Sequence, residues 1–207
     1  MAEARTRAGI LAIAAALALA ACSGSATPTP SNAPASQAPK ASGSGPGAGG
    51  TAGPASGAKA AIDETLLKYL PAAVGSLTVS YSAEATQGVV GDAGLATNAA
   101  AVAYGIAADS TSGDFVVAAV VRLKDGVFSD SFYRSWRGTY DTGACAQAGG
   151  IAGNAEAQMG GRTVSIGTCA GGAHTYHVYL DKLNVLISAT SVGSKRFGEQ
   201  LLGGLRP

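Results

Sequence analysis

Two histidines, His174 and His177, are the first side chains in this 207-residue chain to consider for metal or acid–base chemistry. They lie three positions apart in an alternating segment that is typical of a β-strand. Side chains three apart along a strand project to opposite faces, so the two imidazoles are not expected to share one metal ion. His177 and Tyr179 share a face, which we expect to be the solvent side and a candidate ligand-binding surface. No metal or cofactor is predicted.

Two arginines, Arg134 and Arg137, form a second candidate for ligand binding. They lie three residues apart on the expected outer side of a predicted helix, where they can hold a carboxylate or a phosphate. The alternative is an ordinary solvated helix face. The carboxylates Asp141, Glu156 and Asp181 are scattered, and the chain has no G-x-S-x-G, H-E-x-x-H or phosphate-loop motif. No catalytic residue is therefore predicted.

Cys145 and Cys169 are predicted to form a disulfide, because an exported domain meets an oxidising environment. Closing a loop of about 25 residues stabilises a fold by roughly 3.5 kcal/mol on the chain-entropy model. The alternative is a reactive thiol, since residues 167–171 match G-x-C-x-G, the pattern of a nucleophile elbow with cysteine in place of serine. An elbow needs a helix directly after it, whereas Gly171 and Gly172 indicate a turn between strands.

The third cysteine, Cys22, follows a segment with a basic start, an apolar stretch and small residues, which is typical of a signal peptide over residues 1–21. The apolar stretch is shorter than the roughly 20 residues that a membrane span needs. Leu19-Ala20-Ala21-Cys22 resembles the lipobox of bacterial lipoproteins. The resemblance implies that Cys22 becomes an acylated mature N-terminus, with palmitate-type chains holding the protein on the extracytoplasmic side of the cell membrane. The alternative is an ordinary secretory signal that ends near a cysteine.

Residues 22–60 are predicted to be a lipid-anchored, disordered Ser/Gly/Ala/Pro linker, because residues 23–60 contain no Val, Leu, Ile, Met or aromatic residue. A G-x-G-x-x-G match at 45–50 is assigned to this linker, since a dinucleotide site needs a strand before the glycines and a helix after them. Residues 61–207 have the length of one globular domain. Basic and acidic residues nearly balance, at 14 and 13, so the chain lacks the basic excess typical of nucleic-acid-binding proteins.

Aromatic residues recur at every fourth position from 128 to 140 and predict an amphipathic helix with Ser129 as its N-cap and Gly143 as its stop. The aromatic stripe is expected to pack on a sheet as core. Shorter helices are predicted after Asp63 and after Ser194. Residues 99–108 are ambiguous between helix and strand, and a hairpin with residues 114–123 is favoured. Paired glycines predict tight turns at 160–161 and 171–172.

Together these elements predict an α+β fold, with an antiparallel, largely meandering β-sheet and about three helices packed on one face or at its ends. The order of elements resembles small lipoprotein domains of the PsbP-like kind. That resemblance implies an accessory or binding role more than catalysis.

We therefore expect a membrane-tethered extracytoplasmic lipoprotein with a small noncatalytic binding or accessory domain. Its expected partners are membrane lipid, through acylated Cys22, and an envelope protein or a small molecule. The alternative is a cell-envelope hydrolase or metal-dependent enzyme that uses His177, Asp181 or the pair Arg134 and Arg137. A concave pocket that gathers these side chains favours the enzyme, and their dispersal favours the binding domain.

Overall fold

The protein is described from a computed structural model, which covers residues 59–206. The predicted signal peptide over 1–21, the lipobox cysteine Cys22 and all but the last two residues of the predicted linker lie outside the described residues. Ala60 is buried, so packing already begins at the end of that linker. None of the helices within residues 59–206 has the length and hydropathy needed to cross a membrane.

An eight-stranded sheet forms the centre of the domain. The strands of the described chain are β1 (Ala61–Ile62), β2 (Ala73–Val74), β3 (Leu77–Thr78), β4 (Ser80–Tyr81), β5 (Ala99–Ala108), β6 (Phe115–Leu123), β7 (Ile151–Met159), β8 (Arg162–Cys169), β9 (His174–Leu180) and β10 (Val185–Val192). The sheet order is β1-β5-β6-β10-β9-β8-β7, with β4 also paired to β5, while β2 and β3 pair separately. The predicted hairpin of β5 and β6 is confirmed, which settles residues 99–108 as a strand.

The sheet is mixed, so the prediction of a purely antiparallel sheet is wrong in one place. β1 pairs parallel to β5, and every other pair in the sheet is antiparallel. Strands β7 to β10 form the predicted meander, with a turn at Gly160 and Gly161, which both have positive φ. The neighbour of β6 is β10, however, because a helix carries the chain from β6 to the far edge of the sheet.

The described chain has about five helices, more than the three predicted. They are a 3-10 helix (Glu64–Tyr69), α1 (Ala83–Val89), α2 (Ala93–Asn98), α3 (Asp130–Cys145) and α4 (Phe197–Gly203), besides two 3-10 turns of three residues. The predicted N-caps Asp63 and Ser129 are confirmed, since each side chain accepts a backbone N–H of the first turn. The stop at Gly143 is wrong, because α3 continues to Cys145. The cap at Ser194 is also wrong, because α4 begins after Arg196, which has φ 55°.

Both faces of the sheet are covered by helices, and this decides which side chains are buried. We call the face that carries Val178 and Ile187 the α4 face, since α4 and the 3-10 helix pack on it. We call the opposite face, which carries His177 and Ser188, the α3 face. The predicted aromatic stripe of α3 packs on this face beside α1 and α2. The expectation that His177 faces solvent is therefore wrong, because α3 covers it.

The predicted disulfide between Cys145 and Cys169 is confirmed, with an S–S distance of 2.01 Å. It ties the last residue of α3 to the last residue of β8, and both cysteines are buried beside Ala173. Because both sulfur atoms are bonded to each other, neither is a free thiol nucleophile. The disulfide thus holds the end of α3 against the sheet.

Candidate functional site

A row of polar side chains crosses the α3 face of the sheet. Ser188 on β10 is in register with His177 on β9, which is in register with Ser165 on β8, which is in register with Glu156 on β7. Ser188 and His177 are fully buried, and Ser165 is 6% exposed. Buried polar groups need hydrogen-bond partners. The helix above must therefore supply them.

Helix α3 provides these partners from residues spaced one turn apart. Tyr133, Arg137 and Asp141 recur at every fourth position, which places them on one side of the helix. Trp136 and Tyr140 lie beside them and belong to the predicted aromatic stripe. The same helix therefore presents an aromatic edge and a charged edge to the sheet.

His177 lies at the centre of the buried network. Its Nε2 is 2.8 Å from Asp141 Oδ1, and its Nδ1 is 2.9 Å from Ser188 Oγ. Ser188 Oγ also accepts a hydrogen bond from Trp136 Nε1 at 2.9 Å. The ring of Tyr140 meets the imidazole edge-on, with centroids 5.1 Å apart. Both nitrogen atoms of His177 are thus engaged by α3 and β10, which leaves neither for a metal ion.

Asp141 is the ionised member of this network. Its Oδ1 accepts hydrogen bonds from His177 and from the hydroxyl of Thr175. Burial opposes ionisation of the carboxyl group, but the hydrogen bonds from His177 and Thr175 and the nearby charge of Arg137 outweigh burial and lower the pKa of Asp141 below its ordinary value. Asp141 therefore carries a negative charge at neutral pH.

Gly167 makes room for this carboxylate. A Cβ at position 167 would lie 3.0 Å from Asp141 Cγ and would also collide with Thr175 Oγ1. The first glycine of the G-x-C-x-G match is thus required by the contact between α3 and β8 and has no part in a nucleophile elbow.

A cavity of about 300 Å³ opens between the charged edge of α3 and strands β7 to β9. The cavity reaches solvent at Arg134, Gly138 and Asn154, which are exposed. Gly138 leaves the mouth open, because a Cβ there would meet no atom within 4 Å. The lining residues are Arg134, Arg137, Gly138 and Asp141 of α3, Asn154 and Ala155 of β7, Ser165 and Ile166 of β8, and His177 of β9.

Arg137 lies between α3 and the sheet, so the expectation that it sits on the outer side of the helix is wrong. Its Nη1 donates to Ser165 Oγ and lies 3.7 Å from Glu156 Oε1, and its guanidinium carbon lies 5.0 Å from the centre of the Tyr133 ring. Its Nε is buried and has no hydrogen-bond partner among the described residues. Arg134 is exposed, as expected, and its side chain makes no hydrogen bond or ion pair within residues 59–206.

The structure brings three of the four sequence-predicted binding residues to one site. Arg134, Arg137 and His177 all line the cavity. Tyr179 does not, because its ring stacks on Phe128 with centroids 3.5 Å apart and its hydroxyl donates to Asn184 Oδ1.

Asp181, which the enzyme alternative included, does not line the cavity either. Its carboxylate accepts the backbone N–H of Lys182 in an exposed turn. The prediction did not include Asp141, Ser165, Thr175 or Ser188 as site residues. The sequence does contain a signal for these residues: polar side chains recur at alternate positions in β8, β9 and β10. Arg137 and Asp141, four residues apart in α3, are the helix residues that meet them.

Ser188, His177 and Asp141 have the connectivity of a Ser-His-Asp catalytic triad. The order does not suit catalysis, however, since the buried Asp141 and His177 form part of the cavity wall and Ser188, the residue that would be the nucleophile, does not. Ser188 Oγ is fully buried and holds the indole N–H of Trp136. No cluster of three or more metal-ligating side chains occurs in the part of the chain that the structure describes. The arrangement joins α3 to the sheet and leaves the charged cavity beside it.

Comparison of the chain with protein-family models, with curated proteins and with solved structures finds no match in any of the three.

Proposed function

We propose that this chain is a membrane-tethered extracytoplasmic lipoprotein whose domain binds a small polar ligand in the cavity under α3 without transforming it. The observation that carries the proposal is the cavity wall, where the exposed Arg134 lies beside Arg137, whose side chain is 25% exposed and whose guanidinium is hydrogen-bonded only through Nη1 within the described residues. A hydrogen bond to a charged group contributes about 1.5 to 3 kcal/mol. An acceptor group of a ligand in the cavity can form such bonds with the two guanidinium groups.

The side chains around the cavity support binding. Arg134 adds a second guanidinium at the mouth, and Asn154 adds an amide that can donate and accept. The ring of Tyr133 and the hydroxyl of Ser165 hold Arg137 in place, so little side-chain freedom is lost when a ligand arrives.

The tether rests on sequence alone. The lipobox resemblance of Leu19-Ala20-Ala21-Cys22 and the core-free composition of residues 23–60 favour an acylated N-terminus and a flexible connection to the domain. The disulfide between Cys145 and Cys169 is consistent with an oxidising compartment. The order of elements resembles that of PsbP-like lipoprotein domains, and this resemblance implies a binding or accessory role.

A cell-envelope hydrolase is the second candidate. The concave site that gathers Arg134, Arg137 and His177 is the arrangement expected of it, and the chain of Ser188, His177 and Asp141 adds to that case. We favour binding, because a serine nucleophile must reach its substrate and a preorganised oxyanion site must lie beside it. Ser188 is fully buried, and its oxygen is bonded to Trp136.

Lipid attachment can be tested in a bacterial host grown with an alkyne analogue of palmitate. We expect the wild-type chain to incorporate the label and to partition with membranes, and the Cys22→Ser variant to do neither. A wild-type chain that remains unlabelled, with its N-terminal methionine still attached, would contradict the tether.

Ligand binding can be tested by native mass spectrometry of the full chain after incubation with a bacterial small-molecule extract. We expect a bound species that the Gly138→Leu variant loses, because the leucine side chain fills the open cavity mouth. A fluorophosphonate probe tests the hydrolase in parallel. Labelling of wild type that disappears in Ser188→Ala would overturn the noncatalytic proposal.

A further inference from the structure

Two opposite charges face the cavity from one edge of α3 without pairing with each other. Arg137 and Asp141 are four residues apart, a spacing at which helix side chains commonly form an ion pair. No such pair is formed here, because each group is held from the sheet side. Ser165 and Glu156 hold Arg137, while His177 and Thr175 hold Asp141.

Each of the two charges keeps unused hydrogen-bonding capacity. The Arg137 guanidinium makes hydrogen bonds only through Nη1 within residues 59–206, and its side chain is 25% exposed. All hydrogen bonds to Asp141 within residues 59–206 go to Oδ1, and Oδ2 accepts none. The side chain of Arg134, without a partner in that range, stands one turn before Arg137 at the cavity mouth. The cavity therefore offers donors for an anionic group and an acceptor for a cationic group.

We infer that the cavity takes a free α-amino acid, with its carboxylate on Arg137 and Arg134 and its ammonium group on Asp141 Oδ2. This inference rests on the proposed function, since it names the ligand class of the same site. Side chains at i and i+4 have Cβ atoms about 5 to 6 Å apart. A zwitterion can bridge that gap, because charge-assisted hydrogen bonds of about 2.8 Å extend from each of its ends.

The charge balance of the site favours a zwitterion over a simple anion. Arg134 and Arg137 are opposed by Asp141 in the cavity wall and by Glu156, which lies 3.7 Å from Arg137. A phosphate or dicarboxylate would bring further negative charge close to these two carboxylates, and like charges brought together in a partly buried site repel. A volume of about 300 Å³ suits a molecule of amino-acid size. This volume is at the lower end of the range for drug-sized ligands.

The test uses the full chain in detergent and titrates it by calorimetry with each protein-forming amino acid. We expect one or a few to bind. The best of them is then compared with the carboxylic acid that lacks its amino group and with the amine that lacks its carboxylate. We expect each truncated probe to bind at least tenfold more weakly, since each leaves one charged wall of the cavity unpaired.

Two leucine variants of α3 form a matched pair. Gly138→Leu fills the cavity mouth and should abolish binding, whereas Thr139→Leu places the same side chain on the next exposed residue, outside the lining, and should leave binding unchanged. Both replacements favour the helix, because leucine has a higher helix propensity than glycine or threonine, so loss of the fold is not the expected cause. Unchanged thermal unfolding in both variants checks this.

The outcomes separate this inference from the broader proposal. Absence of binding by every amino acid at about 1 mM, the weak end of specific affinity, overturns the inference. So does amino-acid binding that survives Gly138→Leu. A further outcome is a truncated acid or amine that binds as tightly as the amino acid and loses its binding in Gly138→Leu. That result would support the ligand-binding proposal and overturn the inference that the ligand is an amino acid. If neither the amino acids nor a small-molecule extract yields a Gly138-sensitive ligand, both fall.

Discussion

The two faces of the sheet are both buried, but they are attached to their helices by different forces. On the α4 face, Val120, Ile187 and Leu201 belong to one apolar cluster, to which the Gly198 N–H adds a hydrogen bond to Ser191 Oγ. On the α3 face, His177 and Ser188 reach the helix through a chain of buried hydrogen bonds. Apolar packing is non-directional, whereas hydrogen bonds fix positions and angles. The α4 face is held mainly by apolar contact, whereas the α3 face combines the packed aromatic stripe with hydrogen bonds that set the geometry of the cavity.

The difference also explains why the cavity lies where it does. An apolar interface closes to native packing density and leaves no space. The charged edge of α3 does not close in that way, since the charged residues Arg137 and Asp141 line the cavity. The four predictions that follow test this division between the two faces.

Truncation on the α4 face should have the largest effect on stability. Leu201→Ala removes a fully buried side chain and should lower the free energy of unfolding by about 4 kcal/mol, through lost burial and the cavity left behind. Urea unfolding measures the change. Ligand affinity under the conditions where the variant is folded should stay the same. A large loss of affinity would show that the two faces are coupled.

Removal of the disulfide should weaken the attachment of α3. The double variant Cys145→Ala/Cys169→Ala should lose about 3.5 kcal/mol, because the unfolded chain regains the freedom of a loop of about 25 residues. Denaturant unfolding of wild type with and without a reductant is the measurement. The double variant, which has no disulfide, should not respond to the reductant. Equal stability of oxidised and reduced wild type would contradict the prediction.

The buried network should make the α3 face sensitive to acid. The pKa of Asp141 is lower in the folded protein than its ordinary value of 3.8, so its contribution to stability is complete above the unfolded pKa and is lost as the pH falls through the folded pKa. Asp141→Asn should cost about 2 kcal/mol at neutral pH, since hydrogen bonds to a charged group are lost.

The unfolding free energy should be measured from pH 7 downward for wild type and for Asp141→Asn. The gap between the two should shrink below about pH 4. Asp125→Asn, in an exposed turn, serves as the control and should follow wild type. A gap that stays constant as the pH falls would show that folding does not lower the pKa of Asp141.

The smallest effect on stability is expected at Tyr179, which was predicted from the sequence to be a ligand-binding residue. Tyr179→Phe removes a hydrogen bond to Asn184 and keeps the stacking on Phe128, so it should cost less than about 1 kcal/mol. Calorimetry should give unchanged affinity for any ligand of the cavity. A tenfold loss of affinity would place the binding site nearer to Tyr179 than the cavity under α3.

Much of the fold could be predicted from the sequence because the evidence for it is local. The aromatic spacing and Ser129 predicted the start of α3, and the glycines at 160 and 161 predicted the turn between β7 and β8. The weaker predictions concerned ends and short elements. Gly143 was expected to stop α3, but the helix continues to Cys145, whose disulfide joins it to β8. The short helices α1 and α2 bury only two residues each, which leaves little periodic signal.

The candidate site was predicted only in part, because alternation along a strand does not say what covers each face. The pattern placed His177 and Tyr179 on one face, and both do lie on the α3 face. We expected this face to be exposed to solvent, because an antiparallel sheet commonly has one buried face and one solvent face. Helix α3 covers it instead, which converts His177 from a surface residue into the centre of a network.

The sequence by itself determined the α+β class, the pairing of Cys145 with Cys169 and the helix that carries Arg134 and Arg137. Export and anchoring at Cys22 stay a prediction from the sequence. These depend on composition, or on patterns within about a dozen consecutive residues. The tertiary structure alone decided the cavity and its charges. His177 meets Asp141 across 36 positions of the chain, and Trp136 meets Ser188 across 52. Such contacts arise only when α3 crosses the sheet, because no local periodicity records which helix lies over which strand.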